Sequence, residues 1–361
     1  MAIESTDMAN NAEEPLTYAS AGVDIEAGET AVSKIRSKVK ATFTKEVVSD
    51  IGGFAGMFAP DLSGYAEPVF VSSTDGVGTK AMVATMANVY DTVGIDLVAM
   101  CVDDLVCTGA RPLFMLDYVS IGKLDPEQIE MLVGGIADGC VMADTALVGG
   151  EMAEHPGAME PGDFDLAGFA VGLVDRSKVW GADRVREGHK LIGLASPNLR
   201  SNGFSLARAA FFGSLSDDEV KAVGAGPAWN GSAKSLFEVL LEPSVVYSHA
   251  ITSIPDKEFV ASCAHITGGG MPGNLPRSLP KGLSAMIGAG SFEIPHIFKE
   301  IQNRGGISEE EMFRVFNMGV GMVLVVDPAG EVAIRSHIES CAIPTYALGT
   351  VVGGERGVIF V

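Results

Sequence analysis

The hexapeptide Asp75-Gly76-Val77-Gly78-Thr79-Lys80 brings together residue types that hold a polyphosphate. Its glycines let backbone N–H groups approach an anion, a helix start behind them favours negative charge, and Lys80 adds a point charge. A Walker loop is excluded, because GxxxxGK[ST] is absent. Taken alone, the six residues read equally as a strand-to-helix turn with exposed charges. The leading carboxylate tips the balance, since Asp75 would repel a phosphate unless a cation such as Mg2+ stood between them. Further carboxylates follow at Asp96, Asp103, Asp104 and Glu151. On a helix, Asp96 and Asp103 share a face at i, i+7 and read as a solvated acidic face. Asp104 lies about 80° round toward the apolar stripe, nearest the core. Glu151 follows Leu147-Val-Gly-Gly150, and Asp75, Asp104 and Glu151, at the ends of neighbouring elements, suit a Mg2+–nucleotide site.

Two later segments add polar chemistry. Ser201-Asn202-Gly203 before a helix reads as an ordinary N-cap or as a phosphate seat, the cap being the simpler reading. In His265-Ile-Thr-Gly268-Gly269-Gly270, three successive glycines expose backbone donors beside an imidazole that titrates near neutrality. His155, His189, His249, His296 and His337 lack such company and read as surface or structural.

These residues need elements to hold them. Pro68–Thr74 is a β-rich run into the glycine hexapeptide, followed by helix-forming composition over 81–90. Thr92–Ala110 reads as a helix with Val93, Leu97, Cys101 and Leu105 along one stripe, ending near Gly109. Strands are expected at 113–119, 145–148, 164–174, 190–195, 283–288, 321–326 and 346–352. Helices are expected at 126–143 behind an Asp125 cap, from Phe204, and at 236–241 before Pro243. A charged, turn-like stretch from Asp175 to His189 places a domain boundary near 175, giving an acidic disordered tail over 1–17, an N-terminal domain over 18–174 and a C-terminal domain over 175–361. Both halves read as mixed α+β. The 44 glycines of 361 residues cluster as GG or GxG between apolar runs, as turns at element junctions do.

Composition narrows the function. With 25 Lys+Arg against 46 Asp+Glu, the net charge of −21 repels a nucleic-acid backbone. Five cysteines without CxxC or zinc spacing fit a reducing cytoplasm. Residues 1–17 lack the basic and apolar regions of a signal peptide, and no run of 18 apolar residues marks a membrane span.

Taken together, Tyr18-Ala-Ser-Ala-Gly-Val-Asp-Ile25, Thr74-Asp-Gly-Val-Gly-Thr-Lys80, Gly94-Ile-Asp-Leu-Val-Ala-Met-Cys-Val-Asp-Asp-Leu105, Leu147-Val-Gly-Gly-Glu151, Ser201-Asn-Gly-Phe-Ser205, His265-Ile-Thr-Gly-Gly-Gly270 and Phe316-Asn-Met-Gly-Val-Gly-Met322 resemble the phosphoribosylformylglycinamidine cyclo-ligases, or aminoimidazole ribonucleotide synthetases. The likeness runs in order from about residue 18 to the C-terminus. It implies ATP-dependent cyclisation of formylglycinamidine ribonucleotide to aminoimidazole ribonucleotide with release of ADP and phosphate, in purine biosynthesis. It also implies Asp75, Asp104 and Glu151 as Mg2+ and ATP-phosphate carboxylates, with Gly76, Gly78 and Thr79 in the nucleotide loop. Lys80 then stands at the γ-phosphoryl and His265 in the active site, with Ser201, Asn202 and Gly268 to Gly270 as seats for substrate or phosphate. The implied fold is α+β: an N-terminal half whose sheet forms a barrel-like structure with that of a second copy, and a mixed α/β C-terminal half. Gly22–Gly28 would close over ATP.

Two positions depart from the family's pattern. Arg200 stands where His usually precedes Ser-Asn-Gly; it does not titrate in range, so the expectation there is binding of anionic substrate. Asp103 stands where Asn is common and adds charge beside the proposed metal. Within the superfamily, selenophosphate synthetases want an early Cys, and the hydrogenase-maturation dehydratases a C-terminal one; here the first is Cys101 and the chain ends Gly357-Val-Ile-Phe-Val361. Thiamin monophosphate kinases are separated less sharply. A nucleotide-binding regulatory module without turnover is the reading from another class.

Overall fold

The computed structural model describes Thr17 and residues 22–361, so the acidic tail expected over 1–17 falls, Thr17 aside, outside the described residues. The first half contains α1 (Ile25–Ala41), β1 (Pro68–Gly76), α2 (Lys80–Ala87), α3 (Asp91–Val106), β2 (Arg111–Ile121), α4 (Pro126–Met142), β3 (Ala146–Glu154) and β4 (Phe164–Asp175). Its four strands form one sheet ordered β1-β4-β2-β3. β2 and β3 are parallel, joined through α4, and β4 runs antiparallel between β1 and β2. That is the α+β class expected, with an open sheet and no closed barrel among the described residues of one chain.

The second half is built on a six-stranded mixed sheet, β10-β7-β9-β5-β8-β6. Its strands are β5 (Lys190–Ala195), β6 (Val260–His265), β7 (Leu283–Ile287), β8 (Val320–Val326), β9 (Thr345–Gly353) and β10 (Val358–Phe360). Around it lie α5 (Phe204–Phe212), α6 (Asp217–Ala225), α7 (Leu236–Leu240), α8 (Ser248–Thr252), α9 (Gly270–Asn274), α10 (His296–Gly305), α11 (Glu309–Val315) and α12 (Glu331–Ser340). β8 reads as an unbroken apolar run because all seven of its residues are buried. Among the described residues, no helix is long and apolar enough to cross a membrane.

Local chemistry explains the helix starts. Asp125 caps α4 through Glu127 N–H, with Pro126 at the first helical position, and Asp24 caps α1 through Ala27 N–H. In this structure most of Gly22–Gly28, the segment expected to close over ATP, is the capped first turn of α1, and Asp24 N–H donates to Glu154 at 2.9 Å.

α3 is the centre of the molecule. Glycines let α4 lie against it, since a Cβ at Gly94 or Gly135 would collide with the facing helix backbone. Twelve of its sixteen residues are buried, Asp96 and Asp103 among them, while Asp104 is exposed. This reverses the sequence expectation. The helical wheel assumed one solvated face, but α3 is packed between its own sheet, α4 and the second half of the chain, and a helix so placed is buried nearly all round.

Candidate active site

The two halves meet along the C-terminal part of α3, where a cavity of about 520 Å3 opens. Asp104 from α3, Ser72 to Thr74 from β1, His265 at the end of β6, and Asn274 and Arg277 at and beyond the end of α9 line it. The Nδ1 of His265 lies 2.8 Å from Asp104 Oδ1, and its Nε2 lies 3.1 Å from an Arg200 nitrogen. A guanidinium can only donate, so Nε2 accepts and Nδ1 holds the proton that it donates to Asp104. The imidazole is thereby held in one tautomer and one orientation. Asp75 belongs to the same electrostatic neighbourhood. Burial pushes its carboxyl above the ordinary range, with the charge of Asp104 adding to the rise and the Gly76 N–H opposing it.

The glycine segments converge from both halves. Ser201 Oγ donates to the carbonyl of Val77 at 2.7 Å, Thr79 and Ser205 share a hydroxyl contact at 3.0 Å, and Gly268 N–H donates to Asn202 Oδ1 at 3.0 Å. The Ser201-Asn202 segment therefore does not cap α5, whose N-cap is Gly203 in the left-handed region without a side-chain bond. Its side chains tie the hexapeptide to the triple glycine. Asn274, which the sequence reading missed, donates to the carbonyls of Thr267, Gly268 and Gly270 and so sets the shape of that loop. Gly270 at φ +57° also has no room for a Cβ against the carbonyl of Phe313.

Three expected site residues are placed elsewhere. Lys80 is wholly buried, its Nζ 2.6 Å from Asp96 and donating to the carbonyls of Arg200 and Glu242. Burial lowers its pKa, and the ammonium, engaged by Asp96 and two carbonyls of the second half, braces the hexapeptide against that half. Arg200 is equally buried. It pairs with Asp103 at 2.6 Å, donates to the carbonyl of Val245 at 2.8 Å and stacks over Tyr247, so it cannot also take up an anionic substrate. Each of the chain's two departures from the family pattern is thus the other's partner.

Glu151 is the third. Asp75 pairs with Gly168, Gly168 with Asp117, and Asp117 with Gly150, so these four lie in one row across the sheet. Glu151, one residue further, points to the opposite face and stands three strands from Asp75, roughly 14 Å away. Among the described residues, no three His, Cys, Asp or Glu side chains gather as a metal cluster. Another pair unreadable from spacing is Cys107 and Cys263, whose sulfurs meet at 3.5 Å across the seam between the halves.

An α+β chain of two halves with its candidate site at their seam belongs with the AIR synthase related proteins, whose two domain models cover both halves. The N-terminal domain model of that family matches residues 64–174 and the C-terminal model residues 186–361. A phosphoribosylformylglycinamidine cyclo-ligase of Carboxydothermus hydrogenoformans is 47% identical over 346 residues, covering 96% of this chain and 99% of the relative. One from Anaeromyxobacter sp. (strain K) is 46% identical over 343 residues, covering 95% and 97%. The chain belongs to the phosphoribosylformylglycinamidine cyclo-ligase family and is a ligase of purine biosynthesis. Among solved structures, a thiamine-monophosphate kinase from Stenotrophomonas maltophilia superposes with a TM-score of 0.64 at 20% identity, over 91% of this chain and 95% of that one. Hydrogenase maturation protein HypE in complex with ATP superposes at 0.63 and 14% identity, over 92% and 90%. At those identities the likeness is one of fold.

Proposed function

We propose that the chain closes the imidazole ring of aminoimidazole ribonucleotide from formylglycinamidine ribonucleotide at the expense of ATP, in the cytoplasm, and that the seam between its halves is where it does so. The chemical difficulty is a poor leaving group, because the formyl oxygen will not depart as oxide or hydroxide. Transfer of the γ-phosphoryl to that oxygen gives an iminophosphate; attack by the amidine nitrogen then expels phosphate. Such a reaction asks the protein for alignment and charge neutralisation more than for covalent help.

The contact that carries this reading is Asp104 with His265, a carboxylate and an oriented imidazole at the wall of a cavity whose lining residues Thr74 and His265 lead into the two glycine loops. Because Nε2 of His265 is already engaged by Arg200, the imidazole serves to position Asp104, and the half-exposed carboxylate of Asp104 faces the reactants. Asp75 and Asp104, close enough for the charge of one to raise the proton affinity of the other, fit Mg2+, which one or two carboxylates and substrate phosphates commonly share. The metal would neutralise charge on the transferred phosphoryl. Gly76, Gly78 and Thr79, with Ser201, Asn202 and Gly268 to Gly270, would supply backbone and hydroxyl donors around the phosphates.

A second copy of the chain completes the proposal. The sheet of the first half is covered by helices on one side, while Phe70, Tyr118 and Phe169 stand exposed on the other. Partnering that face with the same face of another copy buries the aromatics in a homodimer.

The test is purified protein with ATP, Mg2+ and formylglycinamidine ribonucleotide, followed by phosphate release and by detection of the aminoimidazole. Phosphate release that depends on the ribonucleotide, stops on chelation and returns with Mg2+ supports the reading. Equal release with and without the ribonucleotide, or binding of ATP without any turnover, refutes it.

A further inference from the structure

We propose that Arg277 receives the 5′-phosphate of the ribonucleotide and so sets both the orientation of the substrate and its preference for a phosphorylated sugar; this rests on the function proposed above. Arg277 follows α9 and lines the same cavity as Asp104 and His265. Among the described residues it is the one lysine or arginine on that wall. Its only described polar contact is from Nη1 to Asn274 Oδ1 at 3.3 Å, and no carboxylate among the described residues pairs with it. Most of its five N–H donors therefore have no protein acceptor there.

Arg277 is exposed at the cavity, where its unpaired donors are free to meet an anion. The two cations nearest the active site by sequence expectation, Lys80 and Arg200, are engaged by Asp96 and Asp103. Arg277 is the one left to meet a ligand. Its fork of donors matches a phosphate in a two-pronged contact, and Ser72, Ser73 and Thr74 line the same space.

The substrate has the complementary polarity. An amidine is a strong base, cationic at neutral pH, whereas the far end of a ribonucleotide is a phosphate. The cavity is acidic where Asp104 stands and basic where Arg277 stands, and its volume of about 520 Å3 lies within the range of small-molecule sites. Placing the phosphate on Arg277 directs the reacting amidine toward Asp104 and His265.

The experiment compares the ribonucleotide with its 5′-dephosphorylated riboside as substrates for the wild type, Arg277→Ala and Arg277→Gln. The wild type should prefer the ribonucleotide strongly in kcat/KM. Arg277→Ala should raise KM for the ribonucleotide about 10- to 100-fold, leave KM for ATP within about twofold, and abolish most of the preference over the riboside. Arg277→Gln keeps an amide donor for Asn274, so it separates loop support from phosphate binding and should behave like Arg277→Ala. An unchanged preference in both variants would overturn the assignment, and so would recovery of the wild-type preference in Arg277→Gln, which would make the role structural through Asn274. If the wild type itself fails to convert the ribonucleotide, the proposed function falls before any variant is assayed.

Discussion

Arg200 and Asp103 meet at 2.6 Å with neither side chain exposed, and the backbone of Arg200 holds the left-handed region at φ +60° to bring them together. Removing one member of a buried pair strands the other's charge, which costs about 3–5 kcal/mol. Arg200→His alone and Asp103→Asn alone should each be strongly destabilised in urea unfolding. The double variant should recover most of the loss, because a neutral imidazole and an amide can replace the pair and His tolerates a left-handed backbone better than most residues. Costs that simply add would show that the two residues are not coupled.

Asp104 is the opposite case. Its carboxylate is about half exposed, and an amide oxygen could still accept the proton on His265 Nδ1. Asp104→Asn should therefore keep the wild-type unfolding midpoint and lose roughly 10²-fold or more in kcat, the scale of a positioned acid–base or charge contribution. Near-normal kcat would leave Asp104 with a structural role only.

The carboxyl of Asp117, in the same row across the sheet as Asp75, is pushed up to about 7 by burial. The unfolded chain holds that proton only to a pH of about 4, so between about pH 4 and 7 the folded state binds more protons than the unfolded one. Stability from this group is therefore lost as pH rises through that window. Asp117→Asn should match the wild type near pH 4 and exceed it near pH 8 in urea midpoint. A gap between the two that is independent of pH would contradict the assignment.

If Phe70, Tyr118 and Phe169 form the contact between copies, the wild type should sediment as a dimer at micromolar concentration. Phe169→Asp combined with Phe70→Asp should give a folded monomer with little turnover. A stable, active wild-type monomer would defeat the proposed assembly.

Much of the fold was legible because its strands are apolar, β-rich runs ended by polar or turn-forming residues: β4, β5, β7, β8 and β9 lie within a residue or so of their expected bounds. α1, α6 and the helices α8 to α12 were missed, and so were β6, which carries His265, and β10. α1 is largely polar, with only Ala31 and Val39 buried, and α6 buries only Val220 and Gly224, so neither shows an apolar stripe. At the site, His265 and Asp104 were readable as residue types beside glycines, but their contact spans 161 positions of sequence. The roles of Lys80 and Arg200 could not be read from their neighbours, because the partners that bury their charges, Asp96 and Asp103, are acidic residues on a helix that looked solvated from one side. Asn274 and Arg277 sit on a short turn with no periodicity to announce it.

The acidic residues of α3 also decide how the molecule can move. Asp96 accepts from the backbone and hydroxyl of Ser244, and Asp103 accepts from the backbone of Tyr247, while each carboxylate also faces a buried cation. One helix of the first half is thus bolted at two points, two turns apart, to a single stretch of the second. Rotating the halves about a hinge would break both attachments together and part the buried pair Arg200–Asp103, while Lys80 and Asp96, both of the first half, would stay joined. A hinge between the halves would therefore expose a buried ion pair, so loops at the rim are the less costly place for the cleft to open.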